Sequence, residues 1–150
     1  MSTFSDLMHG FANRVGIDDF SPGQDGVCSF LFDEATVSFR EEAESDSLLI
    51  YGLVGEVPGA GQEALFRLLL NANASYAETR GAFLSLWGNA IILQRRVALA
   101  GLDANAFYLI TEEFIKTLDA WIDTILRGAS EDGAQRPHEV SNLFLGGALV

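Results

Sequence analysis

The spacing of apolar positions changes several times along this chain, and each change predicts an element. Phe4, Leu7, Met8, Phe11 and Val15 recur at helical spacing, so a first helix is expected there. Thr3 is placed to cap it, Asp6 lies in its first turn, and Gly16 ends it. Residues 18–26, rich in Asp, Gly and Ser with Pro22, read as a loop. A strand is expected over 27–32, a turn at Asp33-Glu34-Ala35, and a second strand over 36–41. In that second strand Val37 and Phe39 alternate with Ser38 and Arg40, which predicts one wet face. After a polar connection, residues 48–54 are almost continuously apolar, the pattern of a central strand covered on both faces.

Residues 55–61, with Pro58, break that run. Ala64, Leu65, Leu68, Leu69 and Ala72 return to helical spacing, and residues 75–80 link this second helix to two apolar runs, 83–87 and 90–97. The runs flank Gly88-Asn89, a dipeptide that tolerates positive φ and suits a two-residue hairpin. From Asp103, a good cap, Phe107, Ile110, Phe114, Leu118, Trp121 and Ile125 form the longest stripe, ending at Gly128. The order α-β-β-β-α-β-β-α with short connections predicts an α+β fold, a mainly antiparallel five-stranded twisted sheet with three helices. Residues 1–128 form the expected domain. Residues 129–150 read as a flexible linker followed by an apolar C-terminal tail, SNLFLGGALV.

Charge changes the picture of partners. The chain of 150 residues has 21 acidic and 9 basic side chains, a net charge of −12, which disfavours nucleic-acid phosphate and anionic membrane. Yet 49% of its residues are hydrophobic and its mean hydropathy is +0.21, so charge is suited to keeping an apolar surface soluble. The single cysteine, Cys28, rules out an internal disulfide and fits a reducing compartment. Nothing at the N-terminus resembles a signal peptide, and no apolar run approaches the about 20 residues of a membrane span. A soluble cytoplasmic protein without membrane insertion is expected.

Candidate chemistry is sparse. His9 and His138 lack neighbours at metal-ligand spacing, the glycines form no phosphate loop, and Cys28 sits in an apolar strand without a base. Asp18-Asp19 and Asp33-Glu34 read as solvated charge. Arg95 and Arg96, adjacent on a strand, point to opposite faces, so they form no nucleic-acid patch, and one is suited to pairing with an acid on a neighbouring element. With no acid-base-nucleophile set, no cofactor and no metal site, a non-enzyme is expected.

The helix end Leu69-Leu70-Asn71-Ala72-Asn73, the strand start Gly81-Ala82, and the hairpin arm Gln94-Arg95-Arg96 resemble the Tir chaperone (CesT) family of type III secretion chaperones. The likeness covers roughly residues 3–127. It implies a homodimer that holds the N-terminal segment of a secreted effector in extended form, keeping it soluble and export-competent in the bacterial cytoplasm. By the resemblance, effector grooves fall between the first helix and early strands, using Leu7, Phe11, Val15, Phe30, Phe32, Val37 and Phe39. The dimer interface falls on the second helix and hairpin, at Leu65, Leu68, Leu69, Phe83, Leu84, Leu86 and Trp87. The same apolar stripes also read as ordinary core. Two other functions remain open: an acidic adaptor of the same fold binding a folded partner, and a ligand carrier with Phe114 and Trp121 lining a pocket under the final helix.

Overall fold

The structure, a computed structural model, describes residues 3–18, 20–33 and 35–130. The first apolar stripe forms α1 (Thr3–Arg14), and Thr3 is its first helical residue. Its C-terminus closes through Gly16 at φ 84°, with Gly16 N–H donating to Asn13 and Ile17 N–H to Ala12, so the last carbonyls are satisfied. Three strands follow, β1 (Cys28–Phe32), β2 (Ala35–Glu42) and β3 (Ser47–Glu56), with a 3-10 turn at Ala43–Ser45 between the last two. Next come α2 (Gln62–Asn73), the one-turn helix α3 (Tyr76–Thr79), β4 (Phe83–Trp87), β5 (Ala90–Ala98) and α4 (Ala104–Ser130).

All strand pairs are antiparallel in the order β1-β2-β3-β5-β4. The expected α+β sheet is thus present, with β3 in its middle and β1 and β4 at its edges. Register fixes which side chains share a face. Phe30, Val37, Gly52, Leu93 and Leu84 stand side by side across all five strands on the inner face. Ser29, Ser38, Tyr51, Gln94 and Phe83 form the corresponding row on the outer face.

Helices α1 and α4 cover the inner face. Phe11 of α1 is the centre of an aromatic cluster, with ring centroids 5.2 Å from Phe30, 5.7 Å from Phe39 and 5.7 Å from Phe107 of α4. These contacts fall in the range of favourable edge-to-face pairs. On the rim, the Arg14 guanidinium lies 3.8 Å from the Tyr108 ring centroid, tying the two helices together. The seat of α4 on β3 depends on two residues without side chains. A Cβ at Gly52 would stand 2.6 Å from Leu118 Cδ2 and 3.2 Å from the Thr36 carbonyl, and one at Gly55 would stand 3.2 Å from Ile125.

Several details differ from the sequence-based expectation. Residues 75–80, read as a linker, contain α3, because the Arg80 and Glu78 amides close on Tyr76 and Ser75. Helix α4 continues through Gly128 to Ser130, since a glycine in the last turn of a helix is tolerated when nothing else breaks the ladder. Residues 131–150, which hold most of the expected linker and the apolar tail, lie outside the described residues. Strand β3 is covered on one face only. Leu48 and Ile50 are fully buried inward, whereas outward Tyr51 is half-buried and Leu53 is 54% exposed, because among the described residues no helix crosses that side. Strand β2 departs the other way. Ser38, expected on a wet face, is buried and shares a hydroxyl hydrogen bond of 2.7 Å with Ser29.

The arginine pair divides as its strand position requires. Arg95 turns inward to Glu113 of α4 at 3.2 Å, and Arg96 turns outward to Glu42 of β2 at 2.7 Å. Arg40 joins Glu42 from the same face at 3.6 Å. The hydrogen bond from Arg96, with the two guanidinium charges, holds the Glu42 carboxyl below the usual carboxylate range. Its stabilising contribution is complete above that range and is lost as pH falls through the depressed folded-state pKa.

Two outcomes follow for stability. Gly52→Ala should destabilise the fold by about 1–3 kcal/mol in urea unfolding, because Leu118 and the Thr36 carbonyl bound the site from two sides. Glu42→Gln should cost about 0.5–1 kcal/mol at neutral pH. Its deficit relative to wild type should shrink as unfolding is repeated at progressively lower pH, and a constant deficit would contradict the ion-pair origin.

Candidate functional site

The helix-end motif builds the flank of the sheet. On α2, Leu69 and Ala72 are buried, while Leu70 between them is 70% exposed. Asn73, the last residue of the helix, lies against β4, where its Nδ2 donates to the Leu84 carbonyl at 2.9 Å and its Oδ1 accepts from the Leu84 N–H at 2.7 Å. The following turn is held from below. Trp121 Nε1 of α4 donates to the Glu78 carbonyl at 2.8 Å, and Arg95 donates to the Arg80 carbonyl at 3.1 Å. Arg80 and Gly81 both take positive φ, and the Arg95 guanidinium carbon lies 3.3 Å from where a Gly81 Cβ would stand. Each member of the Gly81-Ala82 and Arg95 signals therefore has a place in one joint.

Among the seven residues expected at a dimer interface, Leu69 and Leu84 are core, and Leu65, Leu68 and Phe83 are half-buried. Leu86 and Trp87 are 44% and 66% exposed at the end of β4. Sequence reasoning passed over Leu70 and Tyr76, the other large exposed apolar side chains of this flank. Helical phase was available as a signal for Leu70, which falls a full step off the stripe of Leu65, Leu68, Leu69 and Ala72.

The structure also brings together the seven residues assigned to effector grooves, but as interior. Leu7, Phe11, Phe30, Val37 and Phe39 are buried in the protomer's own core, and only Val15 and Phe32 are half-buried. Five of the seven are thus packed into the protomer's core, and Val15 and Phe32 keep part of their surface. The accessible fringe there is Leu31, 70% exposed on β1, with Phe20 stacked on Phe30 at 5.2 Å.

The outer face holds a cavity of about 190 Å³ lined by Arg40, Leu49, Tyr51, Trp87, Ile92 and Gln94. Tyr51 and Trp87 meet edge to face with centroids 6.4 Å apart. Strand alternation within residues 48–54 was the signal for this surface, since it places Leu49, Tyr51 and Leu53 together. Phe114 and Trp121 are buried, and the one polar atom of Trp121 is engaged with Glu78, which corrects the ligand-pocket expectation under the final helix.

Chemical groups are few. Cys28 is buried, and burial together with the nearby Asp25 charge pushes its thiol pKa up, away from the thiolate a nucleophile needs. Among the described residues, no group of three or more His, Cys, Asp and Glu is placed to hold a metal ion. No described helix is long and apolar enough to cross a membrane.

This geometry, a bare-faced five-stranded sheet flanked by the α2–β4 joint, can be set beside known proteins. The profile of the Tir chaperone protein (CesT) family matches residues 6–122, most of the chain. The chain belongs to the Tir chaperone (CesT) family. The Tir chaperone of Escherichia coli O157:H7 is 33% identical over 85 residues, covering 56% of this chain and 54% of that protein. The chain thus matches about half the length of that relative. A chain in the crystal structure of the ExsC–ExsE complex superimposes with a TM-score of 0.68 at 23% identity, over 80% of this chain and 91% of that one. One in the HopA1–SchA chaperone–effector complex gives 0.65 at 14% identity, over 81% and 94%. At such identities the two structures establish the common fold.

Proposed function

We propose that this family member is a type III secretion chaperone of the bacterial cytoplasm, a non-catalytic homodimer. It holds the N-terminal segment of a secreted effector in extended form, soluble and ready for export. The observation that carries this reading is the unequal covering of the sheet. Among the described residues, helices α1 and α4 pack on one face, while the outer face keeps Leu53, Tyr51 and Trp87 accessible and β1 forms an edge of the sheet. A folded partner needs a preformed matching surface. An unfolded segment instead offers backbone hydrogen bonds and scattered apolar side chains, which suit a free strand edge and shallow apolar ground. Ordering such a segment costs about 2–5 kcal/mol, so contact must extend over a long surface.

Within this reading the dimer forms on the flank of α2 and β4, through Leu70, Leu86 and Trp87, with Leu65, Leu68 and Phe83 behind them. The effector follows α1 and the early strands at Leu31, Phe32 and Val15. Residues 1–128 act as the chaperone domain. The net charge of −12 keeps a surface with this much exposed apolar area in solution.

Light scattering after size exclusion should give a mass near twice 16.2 kDa for the chain alone. Trp87→Ala should move that mass toward one protomer while the circular dichroism spectrum stays unchanged, since Trp87 is largely outside the core. Co-expression with secreted proteins encoded beside its gene, followed by protease mapping, should protect a stretch near the client's N-terminus. A stable monomer that protects no such stretch, or protection of a folded domain instead, would replace the chaperone with the adaptor reading.

A further inference from the structure

An edge strand leaves the N–H and C=O of every second residue pointing away from the sheet, a template on which another strand can pair. On the β4 edge the outward positions are Ala82, just ahead of the strand, then Leu84 and Leu86. The Ala82 N–H is spent on the Thr79 carbonyl at 3.0 Å. At Leu84 both outward groups are taken by one side chain, with Asn73 Oδ1 on the N–H at 2.7 Å and Asn73 Nδ2 on the carbonyl at 2.9 Å. A primary amide sets a donor nitrogen beside an acceptor oxygen at the spacing of a peptide group. Asn73 therefore occupies the place of the first residue of a sixth strand. Leu86 is the outward position that remains, and a single open residue cannot sustain a strand pairing.

We propose that Asn73 is a strand mimic that closes the β4 edge to backbone pairing. Partners that meet this flank, a second copy of the chain included, then engage the side chains of Leu70, Leu86 and Trp87 without joining sheets. The residue type follows from the task. Asp would set a second oxygen against the Leu84 carbonyl, Leu would fill the space and leave both backbone groups bare, and Gln would carry the amide past them. A free, apolar edge in a chain this hydrophobic invites open-ended addition of copies, which closed pairs avoid. The inference stands apart from the chaperone reading, because it concerns how the edge meets any backbone.

Amide hydrogen exchange and the oligomeric state test it together. In the wild-type chain the Leu84 amide should exchange at least about tenfold more slowly than the Leu86 amide. Asn73→Ala should remove that difference and, in a concentration series by light scattering, produce species larger than the wild-type mass. Adding Leu86→Pro, which deletes the remaining outward N–H at a position where an edge strand tolerates proline, should abolish the species larger than the wild-type mass. Equal exchange at Leu84 and Leu86 in the wild type overturns the proposal, as does a folded Asn73→Ala chain that retains both the wild-type mass and the Leu84 protection. Should Asn73→Ala fail to fold, the wild-type exchange ratio decides the question by itself. Loss of client binding in any of these variants would bear on the proposed function and leave this outcome unaffected.

Discussion

A five-stranded sheet has two faces to shelter, and among the described residues long helices cover one. That imbalance determines the rest of the molecule. Helices α1 and α4 are committed to the inner face, where Phe11, Phe39 and Phe107 pack ring against ring. Helix α2 goes to the flank of β4. The outer face is left to its own side chains: Arg40, Glu42 and Arg96 make an ionic lattice at one end, and Tyr51 leans on Trp87 at the other. Burial of Leu49 and Ile92 on that side comes from neighbouring strand residues and not from an overlying layer.

The covered face is close-packed enough that absences matter as much as side chains. Gly52 and Gly55 let α4 approach β3, and from that position α4 reaches sideways as well as down. Glu113 meets Arg95, and Trp121 meets the α3 turn. One helix thus bears on both the middle of the sheet and its flank. A packed interior transmits such placements because it yields little to compression.

Much of the fold could be read from periodicity, and the reasons for the remainder are specific. The β4–β5 hairpin and all three long helices announce themselves through spacing and turn residues such as Gly88 at φ 61°. The α3 turn does not, because its stability comes from Trp121 and Arg95, residues far along the chain. Strand β3 misled for another reason: seven nearly continuous apolar residues look the same whether a second layer exists or an apolar face is left open. The site suffered from that ambiguity most. Phe11, Phe30 and Phe39 have the composition of a binding stripe and the position of a core, and only three-dimensional packing separates the two. Asn73 was noticed as part of a family-like motif, but its partner, the backbone of Leu84, carries no side-chain signal at all.

The tether from Trp121 to the α3 carbonyl has a consequence in time. The flank formed by α2 and β4 is complete in sequence by residue 87, yet the joint that orients it is closed by a side chain thirty-four positions later. Chains fold as they emerge during synthesis, and pairings between distant segments wait for the later one. A growing chain therefore has its strands before it has a finished flank. The order of translation itself delays completion of the flank until α4 has been made.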